Sequence, residues 1–131
     1  MLTIAVSLVH PAQAQDPRAS VAQKAARDWL ALSDRGDAQG TWKSAGKKFQ
    51  TALTASGWAS ALQKAREPMG TMISRTIMST QFKTSFPGAP DGDYAIIAFK
   101  TRFTKKEAAN ETVTVEREAD GAWRVVGYFI R

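Results

Sequence analysis

The sequence predicts an α+β fold in which N-terminal helices, one long and two shorter, pack on a curved four-stranded antiparallel sheet. In the first half of the chain, apolar residues recur every three or four positions, which is the period of an amphipathic helix. Beyond Gly70 the period changes to two, and β-branched and aromatic residues become frequent. Because the helices precede all the strands, this order favours an α+β arrangement over an alternating α/β one.

The long helix is predicted over residues 17–35. Its apolar stripe repeats at three- and four-residue spacing and consists of Val21, Ala25, Trp29 and Leu32. Asp16 is placed to cap the helix, Pro17 suits its first turn, and Gly36 follows its end. This stripe is expected to cover the apolar face of the sheet.

Two shorter helices are predicted after Asp37 and after Ser56. The second helix runs without a break through Phe49, and the third ends at residues 68–70, where proline and glycine stop it. In each helix the apolar residues fall on one face: Ala38, Trp42, Ala45 and Phe49 in the second, and Trp58, Leu62, Ala65 and Met69 in the third.

Four strands follow, predicted at residues 71–86, 93–103, 110–118 and 123–130. Prolines and glycines in residues 87–92 form a turn between the first two strands, and we expect Gly92 to need a left-handed backbone angle there. Successive strands joined by turns predict an antiparallel meander.

Charge pairing decides the register of the last hairpin. A two-residue turn would place Arg117 opposite Arg124, whereas a three-residue loop with glycine in the left-handed position pairs Glu116 with Arg124. The second register is predicted, with Gly127 where the sheet can bend. The inner face would then carry Val113, Val115, Trp123, Val125 and Phe129.

Residues 1–14 are predicted to be a signal peptide. Residues 2–9 are uncharged and apolar, and Ala12 and Ala14 give the small-x-small pattern of a cleavage site. The apolar stretch is too short to span a bilayer, so we expect no transmembrane anchor. Residues 15–131 would form a single α+β domain, periplasmic or secreted, and monomeric or a homodimer.

The composition excludes several kinds of chemistry. His10 is the only histidine and lies in the predicted signal peptide, and the chain has no cysteine. The mature domain would therefore lack Ser-His-Asp and Cys-His catalysis, and we expect no metal and no cofactor. The net charge of +6 suggests anionic envelope components as partners rather than nucleic acid. Lys43, Lys47 and Lys48, grouped at one helix end, are the candidate contacts.

Five motifs carry a resemblance to a known family. They are residues 66–70 (Arg-Glu-Pro-Met-Gly), the turn at 87–94, the strands at 101–103 and 111–113, and the closing segment 120–130. Together they resemble the secreted bacterial family called domain of unknown function 4019, across the whole mature chain. The resemblance implies an exported one-domain protein and no established activity. More loosely, the fold is similar to cystatin-like and nuclear transport factor two-like cone folds.

Two functions remain open. The first is a non-catalytic binding or interaction domain for an apolar small molecule or a partner, lined in the cone interior by Trp29, Trp42, Tyr94, Phe99, Trp123 and Tyr128. The second is an enzyme that transfers protons between a carboxylate base and a tyrosine, with Asp28, Asp34, Asp93, Glu111, Tyr94 and Tyr128 as candidates. The first is favoured and assigns no catalytic residue, since Glu111 is expected to be exposed at a strand start.

Overall fold

The computed structural model describes residues 16–85 and 87–131 and confirms the α+β class. The helices are α1 (Ala19–Asp34), α2 (Ala38–Ser44), α3 (Lys47–Ala52) and α4 (Ala55–Arg66), followed by a 3-10 turn at Glu67–Met69. The strands are β1 (Met72–Lys83), β2 (Tyr94–Phe103), β3 (Lys106–Arg117) and β4 (Trp123–Ile130). They form an antiparallel meander in the order β1-β2-β3-β4. The predicted signal peptide lies outside the described residues.

The long helix is confirmed. Asp16 does not cap it as predicted, because α1 begins at Ala19 with Arg18 as its N-cap; the Asp16 carboxylate instead accepts a hydrogen bond at 2.9 Å from the backbone N–H of Arg18. Gly36, with φ of 71°, turns the chain after the helix ends. None of the helices in the described ranges is long and apolar enough to cross a membrane.

A continuous second helix is wrong, because Ala45 and Gly46 adopt extended backbone angles and separate α2 from α3. The interruption lets the Gly46 N–H donate to the Val125 carbonyl of β4 at 2.7 Å. A side chain at position 46 would approach Val126 to 3.0 Å, so glycine permits this contact. The contact covers part of the edge of β4, and residues 16–85 contain four α-helices rather than the predicted three.

The predicted register of the last hairpin is confirmed, with Glu116 opposite Arg124 and Gly121 at φ of 85°. A β-bulge at Val126 then inserts one extra residue into β4. Because alternation reverses at a bulge, Tyr128 packs against the core and Phe129 is 55% exposed. Placing Phe129 on the inner face was therefore wrong.

Strand β3 begins at Lys106, four residues before its predicted start, and pairs with β2 across a short turn. Strand β1 contains bulges at Ile73 and Met78, which bend it.

The core lies between the helices and the inner face of the sheet and includes Leu30, Phe49, Trp58, Ile97, Phe99 and Val113. The likeness to cystatin-like cone folds stays a prediction.

Candidate functional site

A buried chain of alternating charges joins the helical layer to the inner face of the sheet. Arg75 on β1 donates from its two terminal nitrogens to the two carboxylate oxygens of Asp34 at 2.8 and 2.9 Å. Its Nε donates to Glu111 on β3 at 2.9 Å. Arg66, at the end of α4, donates to Asp34 at 2.8 Å and to Ser33 at 2.7 Å. Two arginines thus balance two carboxylates.

Glu111 is fully buried, so the expectation that it is exposed was wrong. Since β3 starts early, Glu111 lies within the strand and on its inner face, opposite Phe99. Oε1 accepts from the Thr101 hydroxyl at 2.5 Å and from Arg75, while Oε2 accepts a short hydrogen bond from the Tyr128 hydroxyl. Both carboxylate oxygens are therefore occupied within the protein.

The network fixes the ionisation of its members. Burial acts to raise the pKa of Asp34, but the hydrogen bonds and charges of Arg75 and Arg66 outweigh it, and this pKa lies below its usual 3.8. Burial also acts to lower the pKa of Arg75. The hydrogen bonds and negative charges of Asp34 and Glu111 outweigh this effect, so the pKa of Arg75 is raised. Burial, reinforced by Glu111, raises the pKa of Tyr128 well above its usual range. Tyr128 is thus held as a neutral donor.

This arrangement brings together three of the residues proposed for proton transfer, Asp34, Glu111 and Tyr128. A general base must be within reach of the proton that it removes. Glu111 is enclosed, and Asp34 is hydrogen-bonded by two arginines, which weakens its basicity. The remaining carboxylate candidates, Asp28 and Asp93, are exposed and lie apart from the network. In this geometry the charges of Asp34 and Glu111 are paired within the protein.

The outer end of the network opens into a groove between α1 and α4, which we call the α1–α4 groove. Its volume is about 450 Å³. Its polar wall includes Ser33, Asp34 and Arg66, and its apolar wall includes Ala59 and Leu62. The Nε of Arg66 is buried and has no hydrogen-bond partner, although the other two guanidinium nitrogens are paired. A few polar groups converging on an apolar cleft are typical of small-molecule sites.

The six predicted aromatic residues do not gather around one cavity. Trp29 and Tyr128 lie in one aromatic cluster, with ring centroids 5.1 Å apart, and Phe49 and Trp58 complete it. The indole nitrogens of Trp29 and Trp58 both donate to Thr41, to its carbonyl at 2.9 Å and its hydroxyl at 2.8 Å. This cluster fills the space between helices and sheet.

The other predicted aromatic residues lie outside this ring cluster, although Phe99 and Trp123 belong to the same hydrophobic core and Trp42 packs against it. Trp42 is half-buried and donates to the Leu53 carbonyl at 2.8 Å. Phe99 is buried beneath Arg27, and Tyr94 is buried with its hydroxyl donating to the Pro90 carbonyl at 2.6 Å. These three side chains contact loops and the neighbouring helix, and they do not line one common cavity in the described part of the chain.

One pair does meet, because Trp29 and Trp123 both line a second groove of about 400 Å³ between α1 and β4. We call it the α1–β4 groove. Its walls also include Ala25, Leu32 and the exposed Val21. It is the part of the predicted aromatic site that the fold assembles at a surface.

The predicted cluster of Lys43, Lys47 and Lys48 at one helix end is wrong. Lys43 lies in the last turn of α2, whereas Lys47 and Lys48 begin α3, where the helix dipole disfavours cations. The Lys48 ammonium also donates to the Tyr94 hydroxyl at 2.8 Å and forms a short ion pair with Glu116. That lysine is therefore engaged within the protein.

Sequence reasoning missed Arg66 and Arg75, which carry the network. A signal for Arg75 was present: it lies two residues before Ile77 in a period-two strand, so it shares the inner face with an apolar residue. No comparable pattern distinguishes Arg66 from an ordinary basic residue in the last turn of a helix. Within the described ranges, no group of three or more His, Asp or Glu side chains is arranged to hold a metal ion.

Comparison with known proteins agrees with the resemblance seen in the sequence. A family model described as "Protein of unknown function (DUF4019)" matches residues 25–128. The fold is similar to a solved structure from Catenulispora acidiphila, with a TM-score of 0.53, 9% identity, and coverage of 86% of this chain and 89% of that one. No curated protein matches the chain. Since the family model spans most of the sequence, the chain belongs to the DUF4019 family of proteins of unknown function.

Proposed function

We propose that this protein is a non-catalytic binding domain of the bacterial periplasm or exterior, and that its ligand occupies the α1–α4 groove. The partner would be a small, largely apolar molecule that carries one hydrogen-bond acceptor. Export is supported by the apolar residues 2–9 and the Ala12-Gln13-Ala14 pattern that follows them. The binding role is supported by the site at the outer end of the buried network.

The unpaired Nε of Arg66 is the observation that carries the proposal. Leaving a buried donor without an acceptor costs about 1–3 kcal/mol, and nearly all such groups in proteins find partners. The neighbouring Asp34 and Ser33 are committed to the terminal nitrogens of the same guanidinium group. A ligand carbonyl or ether oxygen would supply the missing acceptor once the guanidinium turns toward the groove, because Nε is buried in the free protein.

The shape and charge of the groove define the ligand further. Ala59 and Leu62 provide an apolar wall on the α4 side. The positive charge of Arg66 is already balanced by Asp34, so the site favours an uncharged ligand over a strongly anionic one. Burial of the apolar part would supply most of the binding free energy, and the acceptor would fix orientation.

Proton-transfer catalysis is the second candidate and is less well supported. The carboxylate and tyrosine that it needs, Glu111 and Tyr128, are bonded to each other inside the protein. Neither residue lines the α1–α4 groove, whose two acidic residues are the exposed Glu67 and Asp34, which is paired with two arginines. Such a reaction would require the buried network to open.

Two matched variants test the site. Ala59→Leu fills the α1–α4 groove and Ala25→Leu fills the α1–β4 groove, each by adding the same atoms to a half-buried helical position. A fragment library of apolar amides and ethers would be screened by protein-observed NMR. We expect shift changes at Gly36, Gln63 and Gly70 that Ala59→Leu abolishes and Ala25→Leu preserves.

If Ala25→Leu abolished binding and Ala59→Leu preserved it, the binding site would instead be the α1–β4 groove beside Trp29 and Trp123. Absence of any binder, or binding that survives both variants, would contradict the proposed function. Thermal unfolding of both variants would confirm that each remains folded at the screening temperature.

A further inference from the structure

We infer that the outer face of the sheet, on the side away from the helices, docks on an anionic membrane surface. The surface concerned is the basic sheet face, formed by Lys100, Arg102 and Arg131 together with the exposed apolar residues Met78 and Phe129. This inference is independent of the α1–α4 groove, which lies on the helical side.

Strand alternation places the two cations of β2 on this face. Ile97, Phe99, Thr101 and Phe103 are almost fully buried on the inner side, whereas Lys100 and Arg102 between them are exposed. Lys100 lies opposite Asn110, and the backbone of Asn110 pairs in turn with Arg131 at 2.8 and 3.0 Å. The cations of two strands therefore project from one region of the sheet.

These cations are poorly neutralised. Glu107 is the acidic residue near Arg102, with the two side chains 4.0 Å apart and the carboxylate side chain 87% exposed. Asp34 and Glu111 are buried within the protein and paired with arginines. Such a surface complements the negative potential of anionic lipid head groups.

Exposed apolar side chains lie among the cations. Met78, displaced by its bulge and 62% exposed, borders a shallow groove with Lys100 and Arg102. Phe129 is 55% exposed, with the Arg131 guanidinium carbon 5.3 Å from its ring centre. A bilayer interface accepts apolar side chains and cations together, whereas a dissolved polyanion uses only the cations. The combination therefore favours a lipid surface.

Vesicle co-sedimentation tests this inference. The protein is expected to bind vesicles of phosphatidylcholine mixed with phosphatidylglycerol and not to bind vesicles of phosphatidylcholine alone. Bound protein should dissociate as the salt concentration rises from about 0.1 M to about 1 M. The combined change Lys100→Gln, Arg102→Gln and Arg131→Gln should weaken binding by at least about tenfold. The matched control, Lys24→Gln, Lys43→Gln and Lys64→Gln, removes equal charge from the helical side and should retain binding.

A second variant separates a membrane from a soluble polyanion. Met78→Ser with Phe129→Ser should reduce vesicle binding while leaving any binding to polyphosphate unchanged. Both residues are exposed, so circular dichroism and thermal unfolding should match the parent protein. If the serine variant binds vesicles as well as the parent, or if both glutamine variants behave alike, the inference is overturned.

Discussion

The carboxylate of Glu118 accepts a hydrogen bond at 2.9 Å from the backbone N–H of Lys47, 71 residues earlier in the chain. Glu118 follows β3, and Lys47 is the first residue of α3, whose N-cap Gly46 offers no side-chain acceptor. A residue of the last hairpin thus caps a helix of the N-terminal half. Together with the Gly46–Val125 contact, it fastens α3 to the edge of the sheet.

We predict that Glu118→Ala destabilises the protein by about 1–2 kcal/mol, the usual cost of losing a helix cap. Removing the carboxylate also frees Arg124, which pairs with both Glu118 and Asp120. Urea unfolding measures the effect. Asp120→Ala, which removes the more exposed partner of Arg124, serves as the control and should cost less than 1 kcal/mol.

Arg75→Met should destabilise the protein by about 3–5 kcal/mol, because it leaves Asp34 and Glu111 buried without their shared cation. Lys24→Met provides a matched control, since it breaks the exposed ion pair with Asp28 and should cost under about 0.5 kcal/mol. Chemical denaturation of both variants would measure the difference. Equal effects would show that the buried network contributes no more than a surface pair.

The free energy of unfolding should fall as the pH is lowered, because Asp34 becomes protonated. Its pKa in the folded protein lies below its ordinary value of 3.8, so the unfolded chain takes up a proton at higher pH than the folded one. The stabilisation is complete above about pH 5 and is lost as the pH falls through the folded pKa. Unfolding measured between neutral and acidic pH should show this slope. It should be shallower in Asp34→Asn, even though that variant is less stable throughout.

Gly92→Ala should destabilise the protein by about 1–3 kcal/mol through steric overlap. Gly92 does not adopt a positive φ, so the expected need for a left-handed backbone angle was wrong. An added Cβ would instead lie 2.7 Å from the Glu116 carboxylate, which Lys48 holds in place. In contrast, Gly88 has φ of 82° and open space around it, so Gly88→Asn should be nearly neutral. A large loss at Gly88 and none at Gly92 would contradict this account.

The fold class, the order of the strands in the sheet and the register of the β3–β4 hairpin could be predicted from the sequence. Each of these depends on residues that are close together in the chain. Glu116 and Arg124 attract, and Gly121 permits the loop that pairs them. Gly127 indicated that the sheet could bend near this point, but no local signal indicated that a bulge at Val126 would insert one residue and exchange Tyr128 and Phe129 between faces. Glu111 was misjudged for a related reason, since its burial depends on Arg75 and Tyr128, which are distant in sequence.

Helix α1 packs on β4 more extensively than on any other strand, so the first and last elements of the fold depend on each other. In the order of synthesis the apolar stripe of α1 precedes the four described strands, and β4, its principal partner among them, is the last of the four. The amphipathic helix therefore lacks its principal strand partner until β4 has been made. Completion of the helix–sheet interface thus waits for β4, and the three earlier strands alone leave part of the α1 stripe exposed.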